Sequence, residues 1–390
     1  MKHDFDSVIE RVGTNCFKWD FTEEIFGKSE ILPMWVADMD FKSPEEVIKA
    51  IEERAKHGVF GYTARPNSLY ESIIEWLDKR FNWEVEKEWI LFTPGVVPAI
   101  VLAIQAYTNP GDGVIIQPPV YKPFFGAVEN NDRKLIKNPL KISEGKYRID
   151  FDDLRSKVIN GAKMLILCSP HNPVGRVWNK DELEQLGFFA KKHNLIVISD
   201  EIHADIVYKP NKHTPFLNVN NVFDDFSIVC MAPSKTFNLA GLETSFVIIK
   251  NKSLRKEFEK YIKKNSLWMT NIFGIVAAEA AYRFGEQWLD SLLNYLSGNI
   301  KYIENFIEQR LPEVEFTKPE GTYLAWLDFR KLGLPNDTIK NLLVEKGRVG
   351  LNDGPDFGKE GEGFQRLNFG CPKILLKDGL ERIEKAINSL

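Results

Sequence analysis

Two charged side chains follow apolar runs, where a charge is costly unless it is used. Lys235 lies in Met231-Ala-Pro-Ser-Lys-Thr-Phe-Asn-Leu-Ala-Gly-Leu242, directly after the run 227–232. That run reads as a buried strand, which puts the ammonium at the mouth of a sheet. Lysines in such places are paired or chemically used. Asp200 ends a second apolar run, Leu195-Ile-Val-Ile-Ser-Asp200. It fits a helix cap or a partner for a lysine. It equally fits a carboxylate that keeps a pyridine nitrogen protonated, which makes the ring a better sink for a Cα carbanion. Together the two residues point to pyridoxal phosphate joined to Lys235.

Other residues fall at the ends of predicted strands. Asn172, in Ser169-Pro-His-Asn-Pro-Val-Gly175, reads as a plain turn residue or as a donor to the cofactor's phenolic oxygen. His203 reads as a neutral imidazole or as an aid in orienting the ring, and His171 as structural. Gly95-Val96-Val97 opens a helix whose free N–H groups suit a phosphate, although the same residues suit an ordinary strand-to-helix turn. Ser234 adds a hydroxyl there. Tyr121 fits a packed loop aromatic or a ring stacked on a flat cofactor. Arg366, in Phe364-Gln-Arg-Leu-Asn-Phe-Gly-Cys-Pro372, fits a surface ion pair or a fork for a substrate carboxylate.

These residues need a scaffold. The 390 residues carry 44% apolar and 27% charged side chains with a net charge of −4, the balance of a globular protein without a global basic field for nucleic acid or membrane. The four cysteines are scattered, so neither a disulfide framework nor a metal site is expected. No secretory signal or membrane span is legible, and the cytoplasm is the default location. Strands are expected over 89–93, 114–117, 164–169, 195–200, 227–232 and 246–249. Their continuous apolar character predicts a mostly parallel sheet covered by helices, an α/β fold. Ligands bind beyond the carboxyl ends of such strands. Gly95, Pro119, Tyr121, His171, Asn172, Asp200, His203, Ser234 and Lys235 are therefore expected on one rim. Ser43 reads as a helix cap with Pro44 at the first helical position. A long helical stretch from Glu279 to Leu311 is weakly interrupted by Gly285 and Gly298. A smaller α+β domain follows, with a Gly-rich loop at 350–363 and a closing helix from Lys377. The expected division is 1–44, an N-terminal segment serving the small domain and an interface; 45–285, the large domain; and 286–390, the small domain.

The motifs Ser169–Gly175, Ser199–Asp205, Ala232–Leu242 and Gln365–Gly370 resemble, in order, the fold-type I aminotransferase superfamily. Met34-Trp-Val-Ala-Asp-Met-Asp-Phe41, Gly61-Tyr-Thr63, Pro119–Phe124 and Asn172–Trp178 are most similar to the bacterial C–S lyases of the cystathionine β-lyase and maltose-regulon-modulator type. The resemblance implies an aspartate-aminotransferase-like fold with Lys235 as the Schiff-base lysine and Asp200 as the pyridinium partner. It implies Asn172 as a phenolic-oxygen ligand, Tyr121 on the ring, and Gly95, Val96, Val97 and Ser234 as the phosphate cradle. His203 joins the cofactor set, while Arg366, Ala37 and Tyr121 contact substrate. Tyr62 reaches the phosphate of a neighbouring subunit, implying a homodimer with shared sites.

Two positions depart from many aminotransferases. Glu243 stands where they carry a phosphate-binding arginine, and His203 where they carry a tyrosine. Both departures favour β-elimination from a cysteine S-conjugate over amino-group transfer, the alternative activity. A regulatory protein that binds a partner is a third reading, against which the intact Lys235, Asp200 and Arg366 set argues.

Overall fold

The computed structural model describes residues 3–159 and 161–390. After an amino-terminal segment with one short helix, Thr22–Phe26, come helices α1 (Glu45–Lys56) and α2 (Asn67–Phe81). Strand β1 (Ile90–Thr93) leads into α3 (Val96–Tyr107), and β2 (Gly113–Ile116), β3 (Lys134–Lys137) and β4 (Ala162–Cys168) follow. Helix α4 (Lys180–Lys192) precedes β5 (Ile196–Asp200), β6 (Ser227–Met231) and β7 (Ser245–Ile248).

These seven strands form one sheet in the order β1-β7-β6-β5-β4-β2-β3. β7 runs antiparallel to both of its neighbours, and the other pairings are parallel. The central strands are buried along almost their whole length, Lys163 near the start of β4 being exposed, as their apolar runs predict. Register fixes the rim: Cys168 lies beside Asp200, and Asp200 beside Cys230. The loops carrying Asn172, Asp200 and Lys235 therefore leave neighbouring strands at one level.

Helix α5 (Ile272–Phe284) is followed by α6 (Glu286–Arg310), then β8 (Glu315–Thr317), β9 (Leu324–Asp328), β10 (Asn352–Asp353), β11 (Phe364–Asn368) and α7 (Lys373–Ile387). The second sheet is antiparallel, in the order β8-β9-β11-β10. The amino-terminal pair Leu32–Pro33 runs parallel to Val349–Gly350, which anchors the early segment to this half of the chain.

Three local expectations are corrected. Gly285 does separate α5 from α6, and only glycine fits there because a Cβ would meet Phe237 Cε1 at 2.4 Å, but Gly298 lies inside α6 with open space around it. Pro44 precedes α1 with extended backbone, and the Ser43 hydroxyl donates to Asn238 O at 3.3 Å instead of capping the helix. The closing helix begins at Lys373, after Pro372, rather than at Lys377. Among the described residues no helix is long and apolar enough to cross a membrane.

Candidate active site

The loops after β1, β4, β5 and β6 enclose a cavity of about 200 Å³. Gly95, Val96, Val97, Tyr121, Asn172, Asp200, His203, Ser234 and Lys235 all line it, together with Ala37 from the amino-terminal segment. The rim expectation fails for two residues. His171 is buried behind the cavity, where its Nε2 donates to Pro119 O at 2.8 Å, so both residues serve the loop's packing. Tyr62 is also absent from the cavity of the single chain and stands 95% exposed.

Lys235 occupies a short helical turn, Pro233–Thr236. Buried Asp205 anchors this turn by accepting from Thr236 Oγ1 at 2.8 Å and from Trp76 Nε1 at 3.0 Å. Lys235 Nζ donates to Ala37 O at 2.7 Å. Enclosure by protein pulls the amine down to about 8, with Arg366 acting in the same direction and Asp38 and Asp200 opposing. The lysine is therefore partly free base near neutral pH.

Asp200 sits on the cavity floor, and its Oδ1 accepts from Ile202 N at 3.1 Å. Burial raises its carboxyl to about 7, with a contribution from Glu201. The nearby Lys235 charge opposes this shift without offsetting it. Burial holds His203 neutral by pushing it to about 3, helped by the Lys235 and Arg366 charges. Its Nδ1 has no hydrogen-bond partner among the described residues.

At the other end of the cavity, Gly95 caps the amino terminus of α3 with extended backbone. The first N–H groups of a helix have no intrahelical acceptor, and they carry its positive end. Ser234 and Thr244 line the same cavity, as does Glu243. Glu243 adopts a left-handed conformation after the turn Ala240–Leu242.

Arg366 rises from β11 beside Asn172. Its Nη1 donates to Asn172 Oδ1 at 2.9 Å, and its Nη2 donates to Trp35 O at 2.9 Å and to Asn352 Oδ1. The guanidinium lies 4.8 Å from the Phe357 ring centroid. Its buried Nε has no partner among the described residues. Burial lowers this guanidinium to about 10.

The segment 35–40 links these groups. Asn368 Nδ2 donates to Val36 O and Asp38 O. Nearly inaccessible Lys18 pairs with Asp40 at 2.6 Å, and Arg11 reaches both Asp38 and Asp40 at 2.6 Å. Nothing in the spacing of Arg11 and Lys18 signals this, because the pairing exists only once the segment has folded over the sheet.

The aminotransferase class I and II family model matches residues 30–383. The chain belongs to that family. Among relatives in this family, cystathionine beta-lyase PatB of Bacillus subtilis is 45% identical over 385 residues, covering 98% of this chain and 100% of PatB. Cystalysin from Treponema denticola, whose crystal structure contains a pyridoxal 5′-phosphate cofactor, superposes with a TM-score of 0.96 at 37% identity and covers 100% of both chains. The PLP-bound C–S lyase from Staphylococcus hominis gives a TM-score of 0.92 at 35% identity, covering 99% of this chain and 98% of its own.

The sequence reading misses several residues around this family site. Asn352 and Phe357 flank Arg366, Asp205 anchors the lysine turn, and Tyr323 donates to Ala37 O at 2.9 Å. Asp205 alone has a signal, since it ends the same Ser199–Asp205 motif that contains Asp200 and His203.

Proposed function

We propose that the chain is a pyridoxal-phosphate-dependent carbon–sulfur β-lyase that cleaves cystathionine or a related L-cysteine S-conjugate to a thiol, pyruvate and ammonia. The observation that carries this reading is the convergence of Lys235, Asp200 and the α3 amino terminus on one cavity in a chain 45% identical to a cystathionine beta-lyase over its whole length.

The cavity's residues fit the cofactor. A buried carboxyl raised to about 7 is relieved by a cationic ring nitrogen, and Asp200 has that property. The free N–H groups of Gly95, Val96 and Val97 with the Ser234 hydroxyl suit a phosphate. Asn172 would hold the phenolic oxygen, with Tyr121 and His203 flanking the ring. When bound, the cofactor supplies an electron sink for the carbon that loses its proton.

The chain's own residues supply the rest. Arg366 holds the substrate carboxylate through its guanidinium, whose Nε has no protein partner among the described residues. Ala37 lines the cavity, which Arg366 borders through its hydrogen bond to the lining residue Asn172. Lys235 Nζ removes the Cα proton, a task suited to an amine poised near 8. The C–S bond then breaks with its electron pair leaving on sulfur, and the proton on Nζ is available to the departing thiolate. The released enamine hydrolyses to pyruvate and ammonia.

The sites are shared between two copies of the chain. Tyr62 is exposed in one loop with Val59 and Phe60, whose ring packs on Phe273 at 5.7 Å. An exposed aromatic group of this kind suits a partner surface, from which Tyr62 would reach the neighbouring phosphate.

The test is pyruvate release from cystathionine without any added 2-oxo acid. Product that forms only when 2-oxoglutarate is supplied would assign the chain to amino-group transfer instead.

A further inference from the structure

One backbone oxygen beside the cavity carries two hydrogen bonds. Ala37 O accepts from Lys235 Nζ at 2.7 Å and from Tyr323 Oη at 2.9 Å. A carbonyl oxygen has two lone pairs, so this one is fully used. Tyr323 is buried and meets the His203 ring edge-on, with centroids 5.7 Å apart.

The backbone is constrained to aim this tyrosine. The preceding residue, Thr322, is fully buried with φ of 68°, a left-handed conformation that a β-branched residue rarely adopts. Three hydrogen bonds hold it: Thr322 N to Ile206 O at 2.8 Å, Tyr208 Oη to Thr322 O at 2.6 Å, and Leu324 N to Thr322 Oγ1 at 3.2 Å. Such conformations persist where the surroundings over-determine them, and they cluster at functional sites. Gly370 leaves room for Met39 and for the ring, because a Cβ there would lie 2.8 Å from Met39 Cγ and 3.2 Å from Tyr323 Cδ2.

The assignment of Lys235 as the cofactor's anchor, on which this inference rests, requires Nζ to leave Ala37 O. We propose that Tyr323 is a positioning residue for Lys235 that keeps Ala37 O satisfied after the amine departs. Joining the cofactor is a condensation: Nζ bonds to the aldehyde carbon, and two amine protons leave with the aldehyde oxygen as water. Without the Tyr323 hydroxyl that step strands a part-buried acceptor on the cavity wall, which is costly where the bound cofactor keeps water out. While the lysine is parked, loss of the hydroxyl strands nothing, because Nζ still holds the carbonyl.

The experiment titrates wild-type and Tyr323→Phe apoenzyme with pyridoxal phosphate and with pyridoxamine phosphate, following tryptophan fluorescence. Pyridoxamine phosphate carries no aldehyde and leaves Lys235 on Ala37 O. The substitution should weaken pyridoxal phosphate binding by about tenfold, while pyridoxamine phosphate binding changes by less than about twofold. In a Lys235→Ala background, Tyr323→Phe should leave pyridoxal phosphate affinity unaltered. Equal losses for the two cofactors would mark Tyr323 as merely structural and overturn the proposal, as would unchanged affinity for both. Failure of the wild-type chain to bind pyridoxal phosphate at all would instead overturn the assignment of Lys235, and this inference with it.

Discussion

Arg366 and Asn172 are 194 residues apart in sequence, yet Arg366 Nη1 donates to Asn172 Oδ1 at 2.9 Å. One hydrogen bond thus ties β11 of the second sheet to the loop after β4 of the first. It places the proposed carboxylate fork and the proposed ligand of the cofactor's phenolic oxygen side by side. Asn172→Ala should leave a buried guanidinium N–H unpaired as well as removing a cofactor contact. The expected loss in kcat/KM is about tenfold to a hundredfold, from the roughly 1–3 kcal/mol cost of an unsatisfied buried group. Steady-state kinetics on cystathionine checks it.

The pH at which the apoenzyme captures pyridoxal phosphate should follow the Lys235 amine. Only the free base attacks an aldehyde, so the capture rate should rise with pH and level off above about 8. Asp38 stabilises the ammonium. Asp38→Asn should therefore move the midpoint to lower pH, and stopped-flow absorbance reads it. A midpoint that stays in place or rises contradicts this account of the lysine's environment.

Asp200 should reduce the stability of the apoprotein. Its carboxyl is raised from 3.8 to about 7 in the folded chain, so between these values the folded state holds a proton that the unfolded state has lost. Stability then falls as pH rises from about 4 to about 7 and is flat above. Asp200→Asn should stabilise the apoprotein at pH 8 by a few kcal/mol, with little effect at pH 4. Thermal melts at the two pH values measure it. The same substitution should lower turnover sharply.

Shared sites can be tested by mixing chains. Tyr62→Ala and Lys235→Ala variants should each be impaired alone. Co-refolded, they should recover towards about a quarter of wild-type activity, because half of the dimers are hybrids with one intact site of two. No recovery would exclude Tyr62 acting across an interface.

The parallel sheet and its rim are legible because the central strands are mostly apolar runs closed by a polar residue, as at Asp200, or followed by one within a few residues, as at Lys235. The roles of Arg11, Lys18, Asn352 and Tyr323 are not legible, since each depends on chain segments brought together by folding. Lys18 and Asp40, for example, meet at 2.6 Å inside a segment with no regular periodicity. The position of His171 after a strand predicts the rim, but the ring turns inward to Pro119 O, a choice made by packing rather than sequence position. Gly285 is recognisable as an interruption, and the ring of Phe237 that leaves no room for a side chain there becomes visible only in three dimensions.

The most direct measurement of the central claim is pyruvate formation from cystathionine by wild-type and Lys235→Ala protein, both supplied with pyridoxal phosphate and no 2-oxo acid. The account predicts steady pyruvate and thiol release by the wild type, and none by the variant above the cofactor-only rate. Equal release by the two proteins, or none by the wild type across a panel of cysteine S-conjugates, would contradict it.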